Sequence, residues 1–161
     1  MSEPWPRTEQ CEGLETWPAE WAALEQEALE HIESWRDQGA DCGTQGKLTP
    51  APPLARRSAL DCAARFHAQD MAERQYLGRF DLEGRDEAAR VEAAGGVASV
   101  LVQHLAAGPS DAETLIERTW LPRPVPCANL LSSTSTEIGL GYVGDVDDKY
   151  GTRWVVVLAT P

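Results

Sequence analysis

His67 and Asp70 stand three residues apart in the run ARFHAQDMAERQYLGRF, residues 64–80. On a helix such positions are neighbours, and an imidazole beside a carboxylate can hold a metal ion or relay a proton. Two ligands do not make a zinc site, which takes three or four. No His-x-x-x-His or Glu-x-x-His spacing accompanies them. The pair therefore reads as a helix histidine at the core edge with a local hydrogen bond. The other chemistry-bearing groups are equally isolated. GDVDDKYG, 144–151, carries three acids, but a calcium loop needs Gly at its sixth position and Glu at its twelfth. Counted from Asp145, Gly151 is seventh and Val156 twelfth, so the segment reads as a hairpin turn. SSTST, 132–136, offers hydroxyls with no base nearby in sequence, and no Gly-x-Ser-x-Gly elbow is present. His31, on an acidic helix, is expected to face solvent.

The elements that would position these groups follow from periodicity. Residues 1–17 read as an irregular acidic arm with Pro4, Pro6 and Gly13. From 19 to about 38, Trp21, Leu24, Ala28, Ile32 and Trp35 recur at helical spacing, and Gly39 closes the helix. Pro50, Pro52 and Pro53 make 40–56 a loop. A second helix is expected over 58–75, with Leu60, Ala64, His67 and Met71 on one face. A short third helix is expected over 84–93, ended by Gly95-Gly96. ASVLVQHLAAG, 98–108, holds a short strand. SDAE, 110–113, reads as a capping box on Ser110 that starts a helix to about Leu121, which Pro122, Pro124 and Pro126 stop. TEIGLGYV (136–143) and TRWVVVLAT (152–160) are two strands joined by a hairpin loop. Helices first and a late hairpin predict an α+β or three-layer arrangement.

Bulk properties narrow the function classes. A chain of 161 residues suits one domain and buries roughly 70% of the surface its unfolded form exposes. No apolar run approaches the ~20 residues of a membrane span. The net charge of −12 argues against nucleic acid and anionic membrane as partners. Residues 1–40 hold ten acids and two bases, −8 of that total. This reads as a solvated acidic face, with a docking surface for a basic partner as the alternative. Cys11, Cys42, Cys62 and Cys127 suggest two disulfides, with three connectivities open. No Cys-x-x-Cys supports a zinc ribbon. Disulfides point to export, whereas MSEPWPRTEQ carries neither a basic nor an apolar signal region. The expectation is a mature secreted or cell-envelope fragment whose leader was removed.

Several segments also line up in order: APPL (51–54), ALDCAARFHAQDMAERQYL (59–77), DEAARVEAAGG (86–96), a helix ending at Trp120, CANLL (127–131), TEIGLGYV (136–143) and WVVV (154–157). Over residues 18–160 the chain resembles the bacterial branch of the CAP superfamily, the extracellular SCP-like domain. Its relatives are cysteine-rich secretory proteins, insect venom antigen 5 and plant pathogenesis-related proteins. The resemblance implies a three-layer α-β-α sandwich around a central antiparallel sheet, here over 18–161. It also implies a cavity with two His and one or two Glu able to hold zinc. The family's YFSHTSPDG, GENIAAG and SPGHRANIL correspond here to YLGRFDLEG, VQHLAAG and PVPCANLL. The ligand slots thus fall on Arg79, Gln103 and Pro126, and the Glu that animal and plant members add falls on Arg123. Arg repels a metal ion, Gln supplies no carboxylate and Pro supplies no donor. The resemblance therefore implies a degenerate cavity, with no catalytic residue, metal or cofactor and no zinc. It further implies a Cys62–Cys127 bridge, with Cys11–Cys42 left by exclusion. The reading is a non-enzymatic, monomeric binding or structural domain for an unknown protein or small ligand. The alternatives are a lipid or small-ligand carrier using the groove, and a hydrolase with a non-standard site built from His67, His104, Asp70 and SSTST.

Overall fold

A computed structural model describes residues 3–161. Helix α1 (Ala19–Gln38) begins after Pro18 and stops at Gly39, whose φ of 77° and N–H bond to the Trp35 carbonyl end it where the periodicity ends. Two short strands, β1 (Ala40–Asp41) and β2 (Lys47–Leu48), pair with each other, and β3 (Ala55–Arg56) leads into α2 (Ser58–Arg74). Then come α3 (Glu87–Ala93), β4 (Val100–Ala107), a π-helical turn (Thr114–Trp120), α4 (Pro124–Leu131), β5 (Glu137–Val143) and β6 (Arg153–Thr160).

The main sheet runs β3-β5-β6-β4. β4, β5 and β6 are antiparallel as expected, whereas β3 adds a two-residue parallel edge. β6 lies between two strands and is covered on both faces, so its run is apolar from Trp154 to Ala159. Trp154, Val156 and Leu158 pack toward α1, the π-helical turn and α4. Val155, Val157 and Ala159 pack toward α2 and α3. The three-layer sandwich is thereby present, with a core on each side of the sheet.

Glycines set the distance between α2 and the sheet. A Cβ on Gly139 would lie 2.1 Å from the Leu60 backbone carbon, and one on Gly141 2.5 Å from that of Ala64. The Gly-x-Gly of β5 is thus a slot for the backbone of α2, whose Ala63, Ala64 and Ala68 are equally small and buried.

Three expectations are corrected. Asp111, not Ser110, caps the helix after 110, its carboxylate accepting the Thr114 N–H at 2.7 Å. The proline run starts a helix as well as ending one, because Pro124 takes the first turn of α4, where no intrahelical N–H is needed. The bridges are Cys11–Cys62 and Cys42–Cys127, not Cys62–Cys127 and Cys11–Cys42. The sheet explains this: Cys62 lies on α2 on one face, Cys127 on α4 on the other, beyond the Cα separation a disulfide tolerates.

Residues 3–18, ahead of α1, hold no helix or strand but are firmly attached. Leu14 is buried, Trp5 donates to the Cys11 carbonyl at 2.8 Å, and Trp17 donates to the Tyr142 carbonyl at 3.0 Å.

Candidate functional site

β4 places the two central side chains of the expected cavity. Consecutive strand residues point to opposite faces, so Gln103 and His104 cannot share a pocket. Gln103 faces α3, where its Oε1 accepts from Arg90 Nη2 at 3.2 Å. The same Nη2 donates to the Arg79 carbonyl at 2.8 Å, and Nη1 to the Arg85 carbonyl at 3.0 Å. The Arg79 guanidinium is turned to Glu87 (2.8 Å) and lies against the Phe80 ring. Arg90 is thus the organiser of this corner, fully buried on α3, and it had no signal in the sequence beyond its place on a helix.

On the opposite face, Asn129 of α4 donates to His104 Nε2 at 3.0 Å, and Trp120 lies 6.1 Å from the imidazole. Burial, then the nearby charge of Arg123, pushes the His104 pKa down to about 4. Arg123 itself is exposed and Pro126 is buried in the first turn of α4. The structure therefore brings Arg79 and Gln103 together through Arg90 and leaves Arg123 and Pro126 apart from them. Among the described residues, no three His, Cys, Asp or Glu side chains gather in a way that could hold a metal. The donors at these positions, two guanidiniums, an amide and a proline, do not fit a divalent cation.

His67 is fully buried rather than at the core edge. Its Nε2 donates to the Gly78 carbonyl at 2.7 Å, leaving Nδ1 unprotonated and without a partner. Burial, then the Arg90 charge, pushes its pKa down to about 4. Asp70 turns away to Arg74 (2.7 Å) and to the Tyr76 hydroxyl, so the pair shares no hydrogen bond. His31 packs half-buried on the π-helical turn, with Nδ1 2.7 Å from Glu117 Oε1, not out in solvent. In the 144–151 loop, Asp148 accepts the N–H groups of Tyr150 and Gly151 and pairs with buried Arg153. That loop is a turn, as the spacing predicts.

A buried ionic constellation was not legible in the sequence. Glu25 of α1 is fully buried and receives Arg65 at 2.7 Å and Arg56 at 3.2 Å, while its Oε2 accepts the Tyr142 N–H at 3.0 Å. Asp61 receives Arg56 at 2.9 Å and accepts the Leu140 N–H at 2.9 Å. Burial pushes both carboxyls up against the pull of these arginines. Arg65 also lies over the rings of Trp5 and Trp17. Two acids and two bases thus balance at the open edge of β5, with every partner a structural one.

The comparisons with known proteins bear on the same positions. Residues 22–158 match the model of the cysteine-rich secretory protein family, CAP. An extracellular protein containing a SCP domain from Bacillus anthracis is structurally similar at a TM-score of 0.72 and 18% identity. The likeness takes in 88% of this chain and 41% of that one, so the chain spans less than half of the Bacillus protein. An outer surface protein from Borrelia burgdorferi gives 0.68 at 17% identity over 82% of this chain and 88% of that one. The venom allergen-like protein 4 of Schistosoma mansoni gives 0.55 at 14% over 89% and 90%. No curated protein matches significantly in sequence.

Proposed function

The chain belongs to the cysteine-rich secretory protein family, CAP, and from that premise we propose that it is a secreted binding domain without the family's metal chemistry. The observation that carries this reading is the state of Arg79. Where the family pattern implies a metal-binding imidazole, this chain has a guanidinium paired with Glu87. Next to it, buried Arg90 occupies the Gln103 amide. A cation entering there would meet the buried Arg90 guanidinium, whose positive charge is the less screened for its burial. The four half-cystines all paired, with no free thiol among them, support export to an oxidising compartment. Similarity to an extracellular protein and an outer surface protein supports the same placement.

The test is a calorimetric titration of the oxidised protein with zinc at neutral pH. We expect no saturable heat at micromolar metal. A one-to-one site abolished by His104→Gln would overturn the reading and restore a metal centre to β4.

A further inference from the structure

An apolar-floored groove runs along the outer side of α1, against the proline loop. Leu29 and Ala51 form its buried floor, Pro53 one wall, and Glu30, Glu33 and Asp37 the other. Its volume is about 580 Å³. The three carboxylates recur at helical spacing on one side of α1, so they form a row about 10 Å long at 1.5 Å per residue. Among the described residues none of the three is in an ion pair; Glu33 accepts the Leu54 N–H at 2.9 Å. Most of the chain's cations are committed elsewhere: eight arginines are paired with other carboxylates. Arg36, the base nearest in sequence, turns inward to the carbonyls of Pro52, Leu130 and Ser132. The groove therefore combines apolar area with negative charge that no ion pair neutralises.

We propose that this groove docks a basic segment of a partner protein, with two cationic side chains on the carboxylate row and a small aliphatic one between them over Leu29 and Ala51. Charge complementarity selects this occupant. A second copy of the chain would bring the same acidic face, and an anionic lipid surface would be repelled. An extended strand places every second side chain on one face. Alternation of basic, aliphatic and basic residues at positions one, three and five therefore matches the row. The inference rests on the reading above that the domain acts by binding. A zinc site would overturn that reading and leave the groove measurement intact, whereas a silent groove overturns this inference alone.

The probe is a blocked pentapeptide with arginine at both ends, valine in the centre and serines between, titrated into isotope-labelled protein and followed by amide chemical shifts. We expect shifts confined to Gln26–Gln38 and Ala51–Leu54, absent with the glutamate-ended analogue. Affinity should fall roughly three- to tenfold in Glu30→Gln/Asp37→Asn, the scale of two exposed charge pairs, and stay unchanged in Glu92→Gln/Glu113→Gln. Shifts elsewhere, equal losses in both double variants, or equal binding of spermine at the groove would each overturn the proposal. The last would show a response to charge alone. Both double variants replace carboxylates outside the core, and their thermal unfolding checks that they fold.

Discussion

Asp61 accepts the backbone N–H of Leu140 at 2.9 Å, at the edge of β5 where a longer β3 would have supplied a carbonyl. Glu25 does the same two residues on, for Tyr142. Two side-chain carboxylates thus continue the ladder that β3 abandons after Arg56, and Arg56 and Arg65 neutralise them. Glu25→Ala would strand Arg65 and an N–H inside the core. We expect a loss of about 3–5 kcal/mol, the scale of a broken buried pair, with Glu25→Gln milder because an acceptor remains. Urea unfolding measures both. A loss under about 1 kcal/mol for the alanine variant, the scale of an exposed pair, would show that the network is not structural.

Gly139 touches α2 backbone to backbone, so no flexible side chain can yield. Gly139→Ala must push the helix off the sheet, and we expect a cost of at least about 1–3 kcal/mol as for overpacked cores. Gly78→Ala, with nothing nearer than 3.9 Å and no positive φ, should change stability by less than about 0.5 kcal/mol. Equal melting temperatures for the two variants would refute the close approach.

The disulfides close loops of 51 and 85 residues in sequence separation. In the chain-entropy picture each contributes about 4–5 kcal/mol. A non-reducing peptide map should return Cys11–Cys62 and Cys42–Cys127. Recovering Cys62–Cys127 would overturn the layer assignment of α2 and α4 themselves.

His67 and His104 both have folded pKa values of about 4, below the ordinary value near 6.5. The unfolded chain therefore binds protons that the folded chain refuses. Their contribution is complete above about pH 6.5 and is lost as pH falls toward 4. Each should cost about 2 kcal/mol between pH 7 and pH 5. Glu25 and Asp61, whose carboxyls are pushed up, act in the opposite direction: their contribution is lost as pH rises. The histidine effect is thus read as a difference: His104→Gln should lose about 2 kcal/mol less than the parent over that interval. Identical pH slopes would mean that His104 takes up its proton as readily in the folded state as in the unfolded one.

What could be read from the sequence was whatever depends on period. α1, α2, β5 and β6 follow their apolar spacing, and Gly39 marks an end. The interior ions could not be read in this way. Glu25, Arg36, Arg65 and Arg153 are buried, yet each stands where a solvent-facing charge would also stand, and only their partners from distant segments distinguish the cases. The disulfide pairing failed for a related reason. Motif likeness does not state on which face of the sheet a helix lies. At the cavity slots the residue types were legible, but the part played by Arg90 was not, since it is joined to Arg79 and Gln103 only by folding.

The Cys11–Cys62 bridge also decides how the molecule bears tension. A pull applied between its ends enters at Cys11, crosses to Cys62 in α2, runs back along the chain to Cys42, crosses to Cys127 and leaves through β6. The 30 residues between Cys11 and Cys42, including all of α1, carry no load while both bridges are intact. Reduction of Cys11–Cys62 alone would put them in the path in place of residues 43–61, lengthening it by roughly 40 Å at about 3.3–3.6 Å per residue. The Cys11–Cys62 bridge is therefore a force bypass: it keeps the carboxylate row of α1 out of the mechanical path while β6, held by β4 on one side and β5 on the other, resists in shear.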